Sequence, residues 1–200
     1  TVDPRTALRV NAGGAVNLLE GLRRKAPERV VLAGTCYEYG ASGGTELEPF
    51  NAYSASKVAA WAFGQMYWRT YELAVITVRP FQVYGPGQPS HTLIPSAIVA
   101  ALSGADFPMT PGDQVRDFVF VEDVARGMIA AAETTEGRGQ SVDLGTGRGV
   151  TVLEVVEMIW DLTRAQGEIQ AGALPYRRAS AMHLVADADW AAEVTGWRAA

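Results

Sequence analysis

The sequence is poor in the residues that mark several classes of protein. It contains one cysteine, Cys36, in 200 residues, so no disulfide can form within the chain and a reducing compartment is expected. The two histidines, His91 and His183, and Cys36 lack the spacing of metal ligands. The formal charge of −5 disfavours nonspecific binding to nucleic acid or to an anionic membrane. We therefore predict no metal site and no nucleic-acid partner.

Long apolar runs are also missing. The best stretch, Leu93 to Leu102, is interrupted by Pro95 and Ser96, whereas a membrane span needs about 20 apolar residues. The first residues, Thr1 to Pro4, have neither the basic segment nor the apolar core of a secretory signal. The composition, 48% hydrophobic and 20% charged, is that of an ordinary globular protein. We expect a cytoplasmic location and no membrane partner.

Predicted strands alternate with predicted helices along the chain. The strands are short apolar runs typical of strands buried on both faces, at 29–34, 74–79, 117–120 and 141–144. The helices are identified by apolar spacing and capping residues, and they cover 3–22, 53–71, 93–102, 122–133, 151–164 and 188–196. This alternation predicts an α/β fold with a parallel sheet covered on both faces.

Tyr53 and Lys57 lie four residues apart at the start of a predicted helix. Residues at this spacing share one helical face, so the ammonium group can lower the pKa of the phenol from about 10. A tyrosine tuned in this way can exchange a proton with a carbinol while a nicotinamide carries the hydride. Taken alone, the same five residues fit a surface helix start with no catalytic role equally well.

Further segments match one protein family in the same order. They are Asn11–Glu20, Val30–Gly40, Tyr53–Lys57, Arg79–Gln88, Arg116–Val124 and Asp143–Gly147. Together they resemble the extended short-chain dehydrogenases/reductases over nearly the whole chain. The resemblance implies the C-terminal part of a doubly wound, Rossmann-like parallel sheet with a small α/β substrate-binding region. Residues 1–85 and 115–148 would form an incomplete dinucleotide-binding domain, and 86–114 and 149–200 the substrate-binding region.

The resemblance also implies a set of catalytic residues for a nucleotide-sugar epimerase, dehydratase or ketoreductase that uses NAD or NADP. Thr35 would hydrogen-bond the reacting sugar oxygen, and Tyr53 would be the general acid/base. Lys57 would hold the nicotinamide ribose while keeping Tyr53 acidic. Asn11 would support the proton relay from behind. The helices that contain Asn11 and Tyr53 resemble the pair that form a homodimer interface in this family.

Other residues are implied to bind the cofactor or the substrate. Pro80 and Val83 would contact the cofactor, together with Tyr53 and Lys57. Gln82 stands where many members have a substrate-binding Asn. Arg116 and Arg177 would clamp the diphosphate, since a guanidinium can donate two parallel hydrogen bonds to it. Arg116 could instead be an ordinary surface residue of a strand.

The residues after Thr35 bear on the reaction. Dehydratases of this family place Asp-Glu there, and this chain has Cys36 and Tyr37. The absence of a ready carboxylic acid argues against 4,6-dehydration and leaves 4-epimerisation and 4-ketoreduction. Two alternatives stay open: a short-chain reductase of a small non-nucleotide alcohol or ketone, and a non-catalytic protein that keeps the family fold.

The glycine-rich turn of a dinucleotide site is missing from this sequence. No Gly-x-Gly-x-x-Gly or Gly-x-x-Gly-x-x-Gly turn follows a predicted strand, and the glycines from Gly145 to Gly149 lack the downstream acidic residue that binds a ribose. We therefore expect the chain to be part of a longer enzyme. We also expect these residues alone to bind a dinucleotide weakly or not at all.

Overall fold

A computed structural model describes residues 3–40, 46–176 and 180–200. The strands are β1 (Val30–Ala33), β2 (Val75–Pro80), β3 (Gln82–Tyr84), β4 (Phe107–Met109), β5 (Val115–Arg116), β6 (Phe118–Phe120), β7 (Ser141–Leu144), β8 (Val150–Thr151), β9 (Ile169–Ala171) and β10 (His183–Leu184). The α-helices are α1 (Pro4–Ala7), α2 (Gly14–Arg23), α3 (Ala52–Tyr71), α4 (Leu93–Ser103), α5 (Val121–Glu133), α6 (Val152–Thr163) and α7 (Ala188–Thr195). None of the helices in these ranges is both long and apolar enough to cross a bilayer.

The first predicted helix forms, but its middle is wound differently. The Asp3 carboxylate accepts a hydrogen bond from the backbone N–H of Thr6 at 2.9 Å, and Pro4 occupies the first turn, as the sequence predicted. Between α1 and α2 the backbone is π-helical over Leu8–Gly13. Such wider turns are rare and occur often at functional sites, and this one contains Asn11.

Three parallel strands form the main sheet, in the order β1-β2-β7. Side chains of α2 and α3 pack on one face around Leu19, Val30 and Val75. Side chains of α5 and α7 pack on the other face around Ile76 and Val142. This arrangement confirms the predicted α/β sheet covered on both faces. Among the described residues β1 pairs only with β2, so it is an edge strand of this sheet.

Gly64 allows α3 to approach the sheet closely. A Cβ atom at this position would lie 2.9 Å from Leu32 Cδ1 and 3.2 Å from Val75 Cγ1, closer than carbon atoms normally approach. A larger residue here would therefore push α3 away from β1, and Tyr53 and Lys57 would move with the helix.

A second group of buried residues lies outside the main sheet. Helices α4 and α6 pack on each other around Ala97, Met109 and Val156, and Thr151 and Glu154 form the predicted capping box at the start of α6. The remaining strands, β3 to β6 and β8 to β10, are two or three residues long. Of these the sequence predicted only β6, since the others are too short for a side-chain alternation to reveal them. The division of the chain into a dinucleotide-binding part and a substrate-binding region stays a prediction.

Candidate active site

Thr35 stands just beyond the carboxyl end of β1 and begins a single 3-10 turn, Cys36–Tyr39. Its hydroxyl accepts from the Tyr37 N–H at 3.4 Å, and its own N–H donates to the Glu38 carboxylate at 3.0 Å. These two bonds are the capping box of the turn. They fix the backbone of Thr35 and hold its side chain at the end of the sheet, where ligands bind in open α/β folds.

A buried network of charged and tyrosine side chains holds this turn against the main sheet. Arg79, at the end of β2, donates from Nε to Glu38 Oε2 at 2.7 Å and from Nη1 to the Tyr39 hydroxyl at 3.2 Å. The Tyr39 hydroxyl donates to Asp143 Oδ1 on β7 at 2.8 Å. Glu38 is fully buried and Arg79 is 4% exposed. The network therefore joins two strands of the main sheet to the turn that carries Thr35. It was not predicted, although an arginine ending a buried strand was a signal that an acid had to lie nearby.

Two features around the network follow from its burial. A Cβ at Gly34 would lie 2.6 Å from Glu38 Oε1, so the glycine leaves the room that the carboxylate occupies. Burial raises the pKa of Asp143 to about 6, while hydrogen bonds from Tyr39 and from the Asp187 N–H act in the opposite direction. Burial also raises the pKa of the Tyr39 phenol.

Helix α3 presents Tyr53 and Lys57 to the same region. The Asn51 side chain caps the helix by accepting from the Ser54 N–H at 2.9 Å, so both residues fall in its first turns. Lys57 Nζ lies 5.9 Å from the centre of the Tyr53 ring, which confirms that the two side chains share one face. Lys57 Nζ also donates to the Ala33 carbonyl at 2.9 Å and so ties the helix to the end of β1.

The net pKa shift of Tyr53 differs in direction from the prediction. Burial raises the pKa of Tyr53, a side-chain hydrogen bond with Thr35 acts in the opposite direction, and Cys36 and Glu38 raise it further. The pKa of Lys57 is lowered, because burial disfavours its charge. The net direction of the Tyr53 pKa shift is therefore upward in this structure, with burial as its largest cause, and the ammonium group of Lys57 bonds the Ala33 carbonyl. The role of Lys57 in keeping Tyr53 acidic stays a prediction.

The Asn11 side chain contacts helix α3, which carries Tyr53 and Lys57. Its side-chain amide donates to Ser56 Oγ at 2.8 Å, and Ser56 Oγ donates to the Tyr53 carbonyl at 2.7 Å. The π-helical segment is thus linked to the backbone of Tyr53 through one hydroxyl. Asn11 is in place to hold α3 in position, and its part in a proton relay stays a prediction.

A cavity of about 490 Å³ opens beside the Thr35 turn. Predicted residues Gln82, Val83 and Arg116 lie on its wall, and Pro80 stands at the end of β2 two residues before Gln82. Gln82 Nε2 donates to the Tyr37 hydroxyl at 3.1 Å. The other lining residues are Tyr37, Gln88, His91, Thr92, Leu93, Ile94, Thr110, Gln114, Phe118 and Val152.

Arg116 is buried, which excludes the alternative of a surface strand residue. It is 8% exposed, and its guanidinium donates to the carbonyls of Val115, at 2.8 Å, and of Ala181. No acidic side chain of the described residues forms an ion pair with it. Burial lowers its pKa, while Tyr37 and Cys36 act in the opposite direction. An unpaired buried cation on a cavity wall is suited to an anionic ligand. Arg177, the second predicted clamp, lies outside the described residues.

The backbone N–H groups of the glycine-rich segment after β7 are hydrogen-bonded within the protein. The buried Asp117 carboxylate accepts from the N–H groups of Thr146 and Gly147, both at 2.8 Å, and from the Thr146 hydroxyl at 2.7 Å. These donors are therefore not free for a pyrophosphate, which supports the prediction that this segment is not the dinucleotide turn. Asp117 was missed because its partners are about 30 residues away along the chain.

No metal centre is evident in the described part of the chain. Among those residues, no group of three or more His, Cys, Asp and Glu side chains could hold a metal ion. The expectation of a site without a metal stays a prediction.

A parallel α/β sheet with Thr35 just after β1, and with Tyr53 and Lys57 on the helix that packs against the end of that strand, is the arrangement expected of an extended short-chain dehydrogenase/reductase. A family model agrees: that of the NAD dependent epimerase/dehydratase family matches residues 1–145. The chain therefore belongs to this family.

Individual relatives extend the comparison. The UDP-glucose 4-epimerase of Corynebacterium glutamicum is 28% identical over 209 residues, which cover 94% of this chain and 63% of that protein. The dTDP-glucose 4,6-dehydratase of Neisseria gonorrhoeae is 41% identical over 117 residues, or 58% of this chain and 33% of that protein. Among solved structures, MoeE5 in complex with UDP-glucose and NAD superimposes with a TM-score of 0.84 and 31% identity, covering 96% of this chain and 67% of that one. The chain thus spans less than two thirds of the length of these curated relatives.

Proposed function

We propose that the protein containing this chain is an NAD(P)-dependent oxidoreductase or epimerase that acts at a carbinol of a nucleotide-diphosphate sugar. The observation that carries the proposal is Arg116, a buried guanidinium that forms no ion pair with any acidic side chain the structure describes, on the wall of a cavity next to the Thr35 turn. Family membership and the likeness to a UDP-glucose 4-epimerase support the same class of substrate.

Tyr53 and Thr35 divide the work at the reacting carbinol. Tyr53 holds a proton on its phenol and delivers it to, or takes it from, the reacting sugar oxygen. Thr35, whose side chain opposes the upward pKa shift of Tyr53, fixes the position of that oxygen. The nicotinamide, when bound, supplies or accepts the hydride.

The residues present fit the nicotinamide end of a dinucleotide. Lys57 uses one N–H on the Ala33 carbonyl, and an ammonium group has three, so two remain for ribose hydroxyls. Pro80 ends β2, and Val83 lies on β3, which begins two residues later; we propose that both contact the cofactor. Within the described ranges, the glycine-rich segment at Thr146 gives its N–H groups to Asp117, so it offers no cradle for the pyrophosphate.

The side chains near Thr35 favour epimerisation or ketoreduction over dehydration. Cys36 is 1% exposed, and burial raises its pKa to about 12, so its thiol is no proton donor to a sugar. Tyr37 offers a phenol to the cavity, not a carboxylic acid. Glu38 is the nearest carboxylate, but its two oxygens are bonded to Thr35 and Arg79. We therefore propose a 4-epimerase or 4-ketoreductase.

Kinetics of an Arg116→Met variant test this function in the protein at its natural length. For a nucleotide sugar we expect KM to rise about 30-fold or more, since losing a buried charge-assisted contact costs about 2 kcal/mol or more. Arg126→Met, on the partly exposed Asp123 pair, is the matched control and should change KM little. An unchanged KM in Arg116→Met would favour the alternative of a small neutral substrate.

A further inference from the structure

Trp61 extends the face of α3 that carries Tyr53 and Lys57. It follows Lys57 by four residues, and residues at this spacing are neighbours on one helical face. The guanidinium carbon of Arg79 lies 5.7 Å from the centre of the Trp61 ring, within the range of a cation–π contact. The end of β2 therefore contacts α3 about one turn beyond the candidate catalytic residues.

The same guanidinium also holds the turn that begins at Thr35. Arg79 Nε donates to Glu38 Oε2 at 2.7 Å, and the other carboxylate oxygen of Glu38 accepts from the Thr35 N–H at 3.0 Å. Both Arg79 and Glu38 are buried, so water competes little for these contacts and their electrostatic strength is high. One planar group thus connects the backbone of Thr35 on one side with the face of α3 on the other.

Lys57 supplies a second connection between α3 and the end of β1, but this one is more exposed to solvent. Its Nζ donates to the Ala33 carbonyl at 2.9 Å, and the donor stands at the end of a flexible four-carbon chain. The proposed function also requires this ammonium group at the ribose hydroxyls. The buried contact through Arg79 is therefore better suited to keep the separation of Thr35 and Tyr53 constant.

We propose that Arg79 and Trp61 are positioning residues, which hold the Thr35 turn at the distance from Tyr53 that proton transfer at a sugar carbinol requires. The inference rests on the proposed function. Both residues act through others: Arg79 acts through Glu38, and Trp61 acts through Arg79. Catalysis is sensitive to such contacts, because a displacement of about 1 Å between reacting groups can lower the rate about 100-fold.

Steady-state kinetics of the natural-length protein with a nucleotide sugar test the role of the ring. Trp61→Leu removes the aromatic face and Trp61→Phe keeps it. Trp61 Nε1 has no hydrogen-bond partner among the described residues, so the change to phenylalanine removes no hydrogen bond. We expect kcat to fall about 10-fold or more in Trp61→Leu with KM unchanged, and to recover in Trp61→Phe. Trp68→Leu, the same truncation about two turns further along α3, is the matched control and should keep the wild-type kcat.

Arg79→Lys tests the same contact from the side of β2. Lysine keeps a positive charge beside Glu38 but lacks the planar guanidinium that stacks on an aromatic ring. We expect kcat to fall here too, and the double variant with Trp61→Leu should be no slower than Arg79→Lys alone, since both changes remove one contact. Losses that multiply would show that the two residues act independently and would overturn the proposal. A kcat in Trp61→Leu equal to that of Trp68→Leu, or no recovery in Trp61→Phe, would overturn it as well.

Amide hydrogen exchange of Thr35 in the ligand-free protein gives a readout that does not depend on turnover. Because Glu38 holds the Thr35 N–H, loosening Arg79 in Trp61→Leu should speed its exchange about 10-fold, while Trp68→Leu leaves the rate unchanged. Equal exchange rates in the two variants would overturn the inference whatever their activity. Faster exchange in Trp61→Leu, together with a wild type that turns over no nucleotide sugar, would instead refute the proposed function and with it the catalytic part of the inference.

Discussion

Replacing Glu38 by glutamine leaves the network below Thr35 with one acceptor for two donors. The carboxylate accepts from the Thr35 N–H at 3.0 Å with one oxygen and from Arg79 Nε at 2.7 Å with the other. A glutamine keeps the shape but turns an N–H₂ group toward one of these donors. It also leaves Arg79, which is 4% exposed, as a buried cation without its ion-pair partner. Breaking a buried pair in this way costs about 3–5 kcal/mol of folding free energy.

The assay is urea unfolding combined with steady-state kinetics of the natural-length protein. We expect Glu38→Gln to lose about 3–5 kcal/mol and its kcat to fall, because Thr35 is no longer held by its N–H. The KM for the nucleotide sugar should change little, since Arg116 is untouched. Glu20→Gln is the control, because the Glu20–Arg23 pair is partly exposed and solvent screening makes the contribution of such pairs to stability small.

A double variant, Glu38→Gln with Arg79→Met, distinguishes the effect of losing the ion pair from general damage to the fold around it. Removing both charges should restore part of the lost stability, because no uncompensated cation remains. The reasoning is refuted if Glu38→Gln is as stable as Glu20→Gln. It is also refuted if the double variant is no more stable than Glu38→Gln alone.

Three further predictions concern pH, catalysis and assembly. Asp143→Asn removes a carboxyl group whose pKa burial raises from 3.8 to about 6. Because the folded state binds this proton more tightly than the unfolded state, the wild type loses stability as the pH rises from about 4 to about 6. Urea titrations should therefore show the variant gaining about 3 kcal/mol relative to the wild type over that window. A difference in stability that does not change with pH would contradict this. Tyr53→Phe should reduce kcat about 100-fold or more while calorimetry finds unchanged affinity for the nucleotide sugar, and equal turnover would exclude Tyr53 as the general acid/base. Phe63 is 41% exposed on α3. If this face of α3 forms the predicted homodimer interface, Phe63→Arg should convert the dimer to a monomer in analytical ultracentrifugation. A variant that stays dimeric would place the interface elsewhere.

The parts of the fold that the sequence predicted are those coded by nearby residues. The spacing of Tyr53 and Lys57 determines their shared helical face, and the Thr151–Glu154 capping box begins α6 as predicted. Buried strands such as β2 are recognisable from unbroken β-branched runs. Thr35 could be placed because it follows such a strand directly. Each of these inferences needs only residues within about one helical turn or one strand.

The parts that were not predicted depend on contacts between distant segments. Glu38 and Arg79 are 41 positions apart, and no periodic pattern pairs them. The direction of the Tyr53 pKa shift depends on burial by the rest of the chain, which outweighs the nearby ammonium group. The burial of Arg116 on the cavity wall is likewise a property of the folded chain. Sequence patterns locate the candidate chemistry, while its electrostatics require the tertiary structure.

The most direct test of the proposed function is proton NMR of nucleotide sugars incubated with the natural-length protein and NAD(P)(H). The panel holds UDP-glucose, dTDP-glucose and a 4-keto-6-deoxy nucleotide sugar, with a simple neutral ketone as the comparison substrate. We predict inversion or reduction at C4 of at least one nucleotide sugar by the wild type, its loss in Tyr53→Phe, and a much slower reaction in Arg116→Met at substrate concentrations below KM. No turnover of any nucleotide sugar, or turnover of the neutral ketone that Arg116→Met leaves unchanged, would contradict the proposed function.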